Sequence, residues 1–313
     1  MAKKRVLLTG GTGFLAKNIV PVLQNDYDVR AVGSSHYDLT DANQCNNMFA
    51  DQKPDVVVHL AAKSGGILAN KKYAADYWYS NMLICGNIWE FSCRWKLGKL
   101  VVVMPGCTYP SDAPVPVKED SMWDGFPDLH PAPGALAKKM SVAASYAYRQ
   151  QYGLNSQIIV PANAYGEHDL FDEFNSHVIP ALILKVHKAK QEGLDEITFW
   201  GSGKAVRDFI YAQDVAACIP YFIENDIKFP SANPCLENVC NISTGVGTSI
   251  KELAETIVDV LGYRGKVNWD LTKPDGPANK TFSNERMKSL GLKCETPLRE
   301  GIQRTYEWFL KSA

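Results

Sequence analysis

The sequence predicts an α/β fold: a doubly wound parallel sheet followed by a smaller C-terminal α/β domain. Three observations carry that expectation. Short β-branched runs alternate with longer helical patterns through the first half of the chain, the runs are apolar on both sides, and a glycine-rich turn links the first run to the first helix. Val-Val-Val-His-Leu at 56–60 and Leu-Val-Val-Val-Met at 100–104 read as strands covered on two faces, as crossover helices require.

In chain order, Arg5–Leu8 predicts a strand, Phe14–Gln24 a helix opened by glycines, Asp28–Val32 a second strand and Asp55–Leu60 a third. A long helix over Tyr73–Lys96 leads into strand Lys99–Met104. Residues 105–133 hold seven prolines and several acidic residues, and read as one long functional loop. Helix Leu136–Tyr152 and strand Ser156–Val160 follow. Beyond Pro161 the pattern is more mixed, with a helix near Val178–Glu192, a short strand Ile197–Trp200 and a helix near Ile250–Leu261. There is no internal repeat and no low-complexity linker. The expected division is therefore 1–162 and 163–313, two lobes packed tightly, with some later segments returning to the first.

Composition excludes several classes of function. Of 313 residues, 46% are hydrophobic, and 33 Lys and Arg stand against 34 Asp and Glu for a net charge of -1. A nucleic-acid or anionic-membrane partner would call for a concentrated basic surface, and disorder for a lower apolar fraction. Thr9-Gly10-Gly11 breaks the apolar run after Lys3-Lys4-Arg5, and no run of about 18 apolar residues exists, so a cytoplasmic protein without a membrane span is expected. The eight cysteines form no Cys-x-x-Cys pair, which points to reduced thiols and no metal site.

The turn Thr9-Gly10-Gly11-Thr12-Gly13-Phe14-Leu15-Ala16 lies between a strand and a helix, the context of a Rossmann dinucleotide fingerprint. Gly10 allows the tight turn, Gly13 lets a pyrophosphate approach the helix N-terminus, and Ala16 fits the helix–sheet contact. The second strand ends in Gly33-Ser34-Ser35-His36, with no carboxylate to bind a ribose 2′-hydroxyl. Small hydroxyls and an imidazole suit a 2′-phosphate, so NADP (NADPH) is the expected cofactor. The expected cofactor contacts are Gly10, Thr12, Gly13, Phe14, Leu15, Ser34, Ala61 and Ala62.

The chain resembles the extended short-chain dehydrogenase/reductases, and among them the GDP-L-fucose synthase group, which acts on GDP-4-keto-6-deoxymannose. The resemblance runs through TGGTGFLA, DLTD at 38–41, HLAA at 59–62, GGILAN at 65–70, CTYP at 107–110 and AKKM at 137–140. It continues through PANAYGEHD at 161–169, NSHVIPAL at 175–182, WGSG at 200–203, RDFIY at 207–211 and KPDG at 273–276. It implies that Cys107 and His177 are the acid/base pair of a 3,5-epimerisation. It places Lys138 on the nicotinamide ribose, with Pro161, Asn163 and His177 around the nicotinamide. It implies that Asn163, Lys185, Trp200, Arg207 and Lys280 hold the GDP-sugar. A homodimer through helices Tyr73–Lys96 and Leu136–Tyr152 is likewise what the resemblance implies. The chemistry is coherent: a thiol and an imidazole titrate near neutrality, and a C4 ketone acidifies the protons at C3 and C5.

In one respect the chain departs from that group. The group's reductive step uses a Tyr four residues before the lysine and a Ser two residues before the cysteine; here those positions hold Gly134 and Pro105. None of the fourteen tyrosines is followed by Lys four positions later. Three readings follow: an NADP-binding sugar-nucleotide epimerase with a reduced or lost reductase step; a bifunctional epimerase/reductase with a relocated proton donor, from Thr108, Tyr109, Lys138 or a water; or a non-catalytic nucleotide-sugar and NADP binder.

Overall fold

The computed structural model describes residues 3–312 other than 66, 130, 173, 174 and 274, and not the side chains of 67 and 68. Gly66-Ile67-Leu68 of GGILAN and Pro274 of KPDG therefore fall wholly or partly outside the described residues. The first half runs β1 (Arg5–Thr9), α1 (Phe14–Leu23), β2 (Asp28–Val32), α2 (Ala42–Gln52), β3 (Val56–His59), α3 (Ile67–Lys72), α4 (Ala74–Arg94), β4 (Lys99–Val103), α5 (Ala132–Tyr152) and β5 (Ser156–Pro161). The second runs β6 (Asn163–Tyr165), α6 (Val178–Gln191), β7 (Glu196–Trp200), β8 (Val206–Tyr211), α7 (Ala212–Glu224), β9 (Val239–Ile242), β10 (Gly247–Ser249), α8 (Ile250–Leu261), β11 (Lys266–Asp270), β12 (Asn279–Lys280), α9 (Glu285–Ser289) and α10 (Leu298–Ser312).

Six strands form a parallel sheet in the order β2-β1-β3-β4-β5-β9. Strand order reverses at β1, which opens a crevice at the carboxyl ends of β1 and β3. The doubly wound α/β class and its parallel strands agree with the pattern of doubly apolar runs. Beyond the sheet, β8 lies between β10 and β12 and also pairs with β6, while β7 pairs with β11.

Several boundaries differ from the pattern-based expectation. The long loop ends sooner, because α5 starts at Ala132 rather than Leu136; Pro133 sits in its first turn, where a missing N–H is unneeded in the ladder. The loop itself contains short 3₁₀ turns at Gly106–Thr108 and Glu119–Trp123. Helix α2 was hidden by its polar sequence and is marked chiefly by Asp41, whose side chain accepts from the Asn43 and Gln44 N–H groups. Strands β6, β8 and β9 are three to six residues long, too short for a periodicity to stand out.

Two apolar cores form. The larger surrounds the six-stranded sheet and takes in Val215, Ile219 and Phe222 of α7, Val239 and Ile242 of β9, and Phe282 and Met287. The smaller gathers Tyr165, Ile183, Phe199, Tyr211, Leu253, Ile257 and Ile302. The second half thus crosses between the cores, with β8 at the crossing point. There Asp208, fully buried, accepts from the Thr244 hydroxyl at 2.6 Å and from the N–H groups of Gly245 and Phe282 at 3.2 and 3.3 Å. No described helix is long and apolar enough to cross a membrane.

Asp208→Ala would orphan those donors in a dry interior. The expected outcome is a loss of about 2–4 kcal/mol of unfolding free energy by urea titration, a large single-site effect of the buried-network kind.

Candidate active site

Gly10 leaves β1 with φ +69, and a Cβ there would lie 2.9 Å from the Ala61 N and Cα atoms. Only glycine lets β1 and β3 end this close together. Gly13 is the N-cap of α1; it has no side chain to cap the first turn, and that turn carries no acidic residue. The arrangement suits an anion such as a pyrophosphate. Phe14 and Leu15 begin the helix, and Ala61 and Ala62 line the opposite wall after β3. That wall is pinned by Asn81, whose side chain both donates to Lys63 O and accepts from Lys63 N, at 2.8 and 2.9 Å. At the end of β2, Ser34 is exposed, and the His36 Nδ1 atom accepts from Gly33 N at 3.1 Å. Thr12 packs onto Gly33, where a Cβ would come within 2.8 Å of its side chain. These residues fit a dinucleotide with a 2′-phosphate: the cradle is open to phosphate, and no carboxylate stands in the turn at 33–36.

Cys107 follows β4, half-buried in the 3₁₀ turn. Its position is set by Gly106, where a Cβ would meet the Phe282 ring at 2.6 Å. Burial pushes the Cys107 thiol up, while the charges of Lys280 and Lys138 pull it back down and Asp128 opposes them. Lys138, on α5, is only 8% exposed, and its Nζ donates to Val103 O at 3.2 Å. Burial lowers its pKa to about 8 against the opposing influence of Cys85 and Cys107. Lys280 pairs with Arg207 across β12 and β8, and burial lowers both side chains. The Arg207 guanidinium donates to Pro277 O at 2.6 Å.

The hydroxyls nearest Cys107 in sequence are committed elsewhere. Thr108, fully buried, donates to Pro105 O at 2.8 Å, and Tyr109, fully buried, donates to the Asn241 carbonyl at 2.6 Å. Gly134, one turn before Lys138, has room: a Cβ there would lie 3.4 Å from Asn81 Nδ2 and 3.8 Å from Tyr77 Cβ.

His177 caps α6 with a ring 70% exposed, and its Nδ1 lies 3.6 Å from Oδ1 of Asp169, itself only 2% exposed. The Asp169 carboxylate raises the imidazole's pKa, and burial works against it. Asn163, at the start of β6, donates to Asp208 O at 2.8 Å; Pro161 ends β5 beside it, buried. Two further expected ligand residues sit against aromatic and cationic neighbours. Trp200 is exposed at the end of β7 with the Lys273 Nζ 5.5 Å above its ring, and the Lys185 Nζ stands 6.0 Å from the Phe199 ring. The structure thus groups Cys107, Lys138, Arg207 and Lys280 in one electrostatic cluster and joins His177 to Asp169, while Lys185 and Trp200 meet Phe199 and Lys273.

The profile of the NAD dependent epimerase/dehydratase family matches residues 6–233. The chain belongs to this family. The GDP-L-fucose synthase of Escherichia coli (strain K12) is 35% identical over 316 residues, spanning 100% of this chain and 98% of that one. Among solved structures, a GDP-6-OMe-4-keto-L-xylo-heptose reductase from C. jejuni superimposes with a TM-score of 0.92 at 26% identity, over 100% and 99% of the two chains. A GDP-mannoheptose C4 reductase from Campylobacter jejuni with NADP bound gives 0.87 at 26% identity over 99% of each. This epimerase/dehydratase is therefore an enzyme of the nicotinamide-dependent type.

Three residues of this epimerase/dehydratase escaped sequence reasoning. Asp169 ends the GEHD piece and Asp208 sits inside RDFIY, so both were on view without an assigned task. Phe282, which props Gly106, carries no local signal, because its partner is 176 positions away.

Lys138 binds its proton less tightly in the folded chain, near pH 8, than in the unfolded one, near 10.5. Its buried charge therefore opposes folding in full below pH 8, and ceases to do so above 10.5. Lys138→Met is expected to raise the unfolding free energy at pH 7 by about 1–3 kcal/mol, with the gain fading as the pH rises from 8 to 10.5.

Proposed function

We propose that this chain is an NADP-dependent enzyme that epimerises a GDP-4-keto-sugar at the carbons flanking the ketone, C3 and C5. In this reading Cys107 and His177 exchange the protons, and the hydride-transfer step is weakened. The observation that carries the reading is the pair of environments described above. The Cys107 thiol feels the Lys280 and Lys138 charges, and His177 stands beside Asp169. Burial raises the Cys107 thiol overall, and the two ammonium charges offset part of that rise, favouring the thiolate that can take a proton from an acidified C–H. An imidazolium held by a carboxylate can return one. The same lysine charges would stabilise the enolate oxygen at C4.

Gly10, Thr12, Gly13, Phe14, Leu15, Ser34, Ala61 and Ala62 would hold the dinucleotide, with Lys138, Pro161, Asn163 and His177 at its nicotinamide end. NADPH, when bound, would supply the hydride that reduces the ketone. Asn163, Lys185, Trp200, Arg207 and Lys280 would hold the GDP-sugar: cations for the diphosphate and an aromatic face for the base. The bound NADP and GDP-sugar names of the relatives support this assignment. The exposed Trp78 and Tyr79 on α4 and Tyr152 on α5 support a homodimer through those helices.

Reduction needs a proton donor to the C4 oxygen. Gly134 and Pro105 stand where the resembling group has Tyr and Ser, and the Thr108 and Tyr109 hydroxyls donate to Pro105 and Asn241. That leaves the Lys138 ammonium as the proton source among the four candidates named above, apart from water. A second reading, a fully bifunctional epimerase/reductase, is favoured by this same amine, because a pKa of about 8 lets it give up a proton near neutrality.

The test is incubation with a GDP-4-keto-6-deoxyhexose in D₂O, with and without NADPH. Deuterium is expected at C3 or C5 without NADPH, falling by at least about 10²-fold in Cys107→Ser and in His177→Gln. NADPH oxidation is expected to be slower than exchange, and to rise about 10–10³-fold in Pro105→Ser/Gly134→Tyr, which restores both hydroxyls. Oxidation as fast as exchange in the unaltered protein would favour the second reading. No exchange in a protein that still binds NADPH would defeat both.

A further inference from the structure

We propose that Asp169 is the positioning residue for His177, fixing which ring nitrogen faces the substrate. This rests on the reading of His177 as a proton-transfer group.

The geometry comes from a doubled-back loop. After β6 the chain turns at His168, whose φ of +68 is rare for a residue with a side chain. The loop is docked onto α1 by Asn18, whose Nδ2 donates to Glu167 O at 2.9 Å. It is then closed on itself by Ser176, whose hydroxyl donates to Leu170 O at 2.6 Å. Holding residue 176 against residue 170 brings the next residue, His177, against Asp169.

The carboxylate is built for a partner that it does not yet fully hold. Asp169 Oδ1 accepts from Leu170 N at 2.8 Å and lies 3.6 Å from the His177 Nδ1 atom. Oδ2 is buried with no hydrogen-bond partner among the described residues. A buried carboxylate with one oxygen lacking a donor is costly, and the His177 Nδ1 atom, 3.6 Å from the other oxygen, Oδ1, is a ring nitrogen able to donate to that carboxylate. A ring shift of less than about 1 Å would complete a normal hydrogen bond. With Nδ1–H given to Asp169, Nε2 is left facing the open side, where 70% of the side chain is exposed. That is the arrangement by which a carboxylate fixes the tautomer and direction of an imidazole.

Other titratable groups described in this loop have partners of their own. The Glu167 carboxylate accepts from the Tyr211 hydroxyl, the His168 ring meets the Trp308 edge at 5.0 Å, and Asp172 accepts from Asn175 N. The influence of Asp169 on His177 runs in the direction the geometry requires, toward the protonated ring.

The test is Asp169→Asn, which keeps size and an acceptor but removes the charge. Its kcat for deuterium exchange is expected to fall about 10–100-fold with KM within threefold. The limb of the pH profile set by His177 should move to lower pH by about one unit. An Asp169→Asn protein with unaltered kcat and an unmoved limb would overturn the proposal. A second measurement stands independently of that variant's folding: the His177 ring resonance, assigned by its loss in His177→Gln, is titrated in the unaltered protein. Titration above about 6.5 supports the proposal, and titration at or below it overturns it. Full exchange in His177→Gln would instead remove the parent reading, and would leave the ring titration to decide whether Asp169 holds His177.

Discussion

A buried carboxylate on β8, Asp208, receives hydrogen bonds from the turn after β9 and from the segment that follows β12. Three stretches remote in sequence therefore meet at one point, between the two apolar cores. Its neighbour Arg207 faces Lys280 in the β8–β12 register, and Asn163 donates to its backbone carbonyl. Two residues beyond Lys280, Phe282 lies against Gly106, and Gly106 presents Cys107. Asp208 thus ties the Phe282 segment, which packs on the Cys107 turn, to the strand that carries Arg207. A second buried polar joint, Asn241, takes the Tyr109 hydroxyl and donates to Val117 O and Ser283 O, so both sides of the Cys107 turn are tied down.

Near-zero net charge leaves little long-range field to gather an anionic substrate, so the positive charge has to be local. Much of it is placed at a cost. Lys138, Lys280 and Arg207 all hold their protons less firmly than in water because burial penalises the charge. The return is chemical: the Lys280 and Lys138 charges offset part of the rise that burial imposes on the Cys107 thiol. In the proposed reading, dinucleotide binding would draw on a different source, the N-terminal dipole of α1 and the bare backbone at Gly10 and Gly13.

Much of this was legible in the chain because it is local. The strand–glycine–helix signal at 5–16, the doubly apolar strands and the cysteine after β4 each occupy a short window. The Asp169–His177 pair is nearly local too, eight residues apart, yet its meaning depends on the Ser176–Leu170 closure, which no pattern announces. The Lys280 charge felt by Cys107 and the contact of Phe282 with Gly106 come from a two-residue strand and the segment after it, and two residues cannot show a period. The fates of the Thr108 and Tyr109 hydroxyls were equally illegible, since either residue type can face a ligand or the interior. The interior took both.

The most direct measurement is a crystal structure of the Cys107→Ser protein with NADP and a GDP-4-keto-6-deoxyhexose. The residue 107 hydroxyl and the His177 ring are expected on opposite faces of the sugar. The Lys138 ammonium is expected within hydrogen-bond reach of the C4 oxygen, and the diphosphate beside Arg207 and Lys280. A sugar seated with residues 107 and 177 on the same face, or with its C4 oxygen remote from Lys138, would contradict the proposed function.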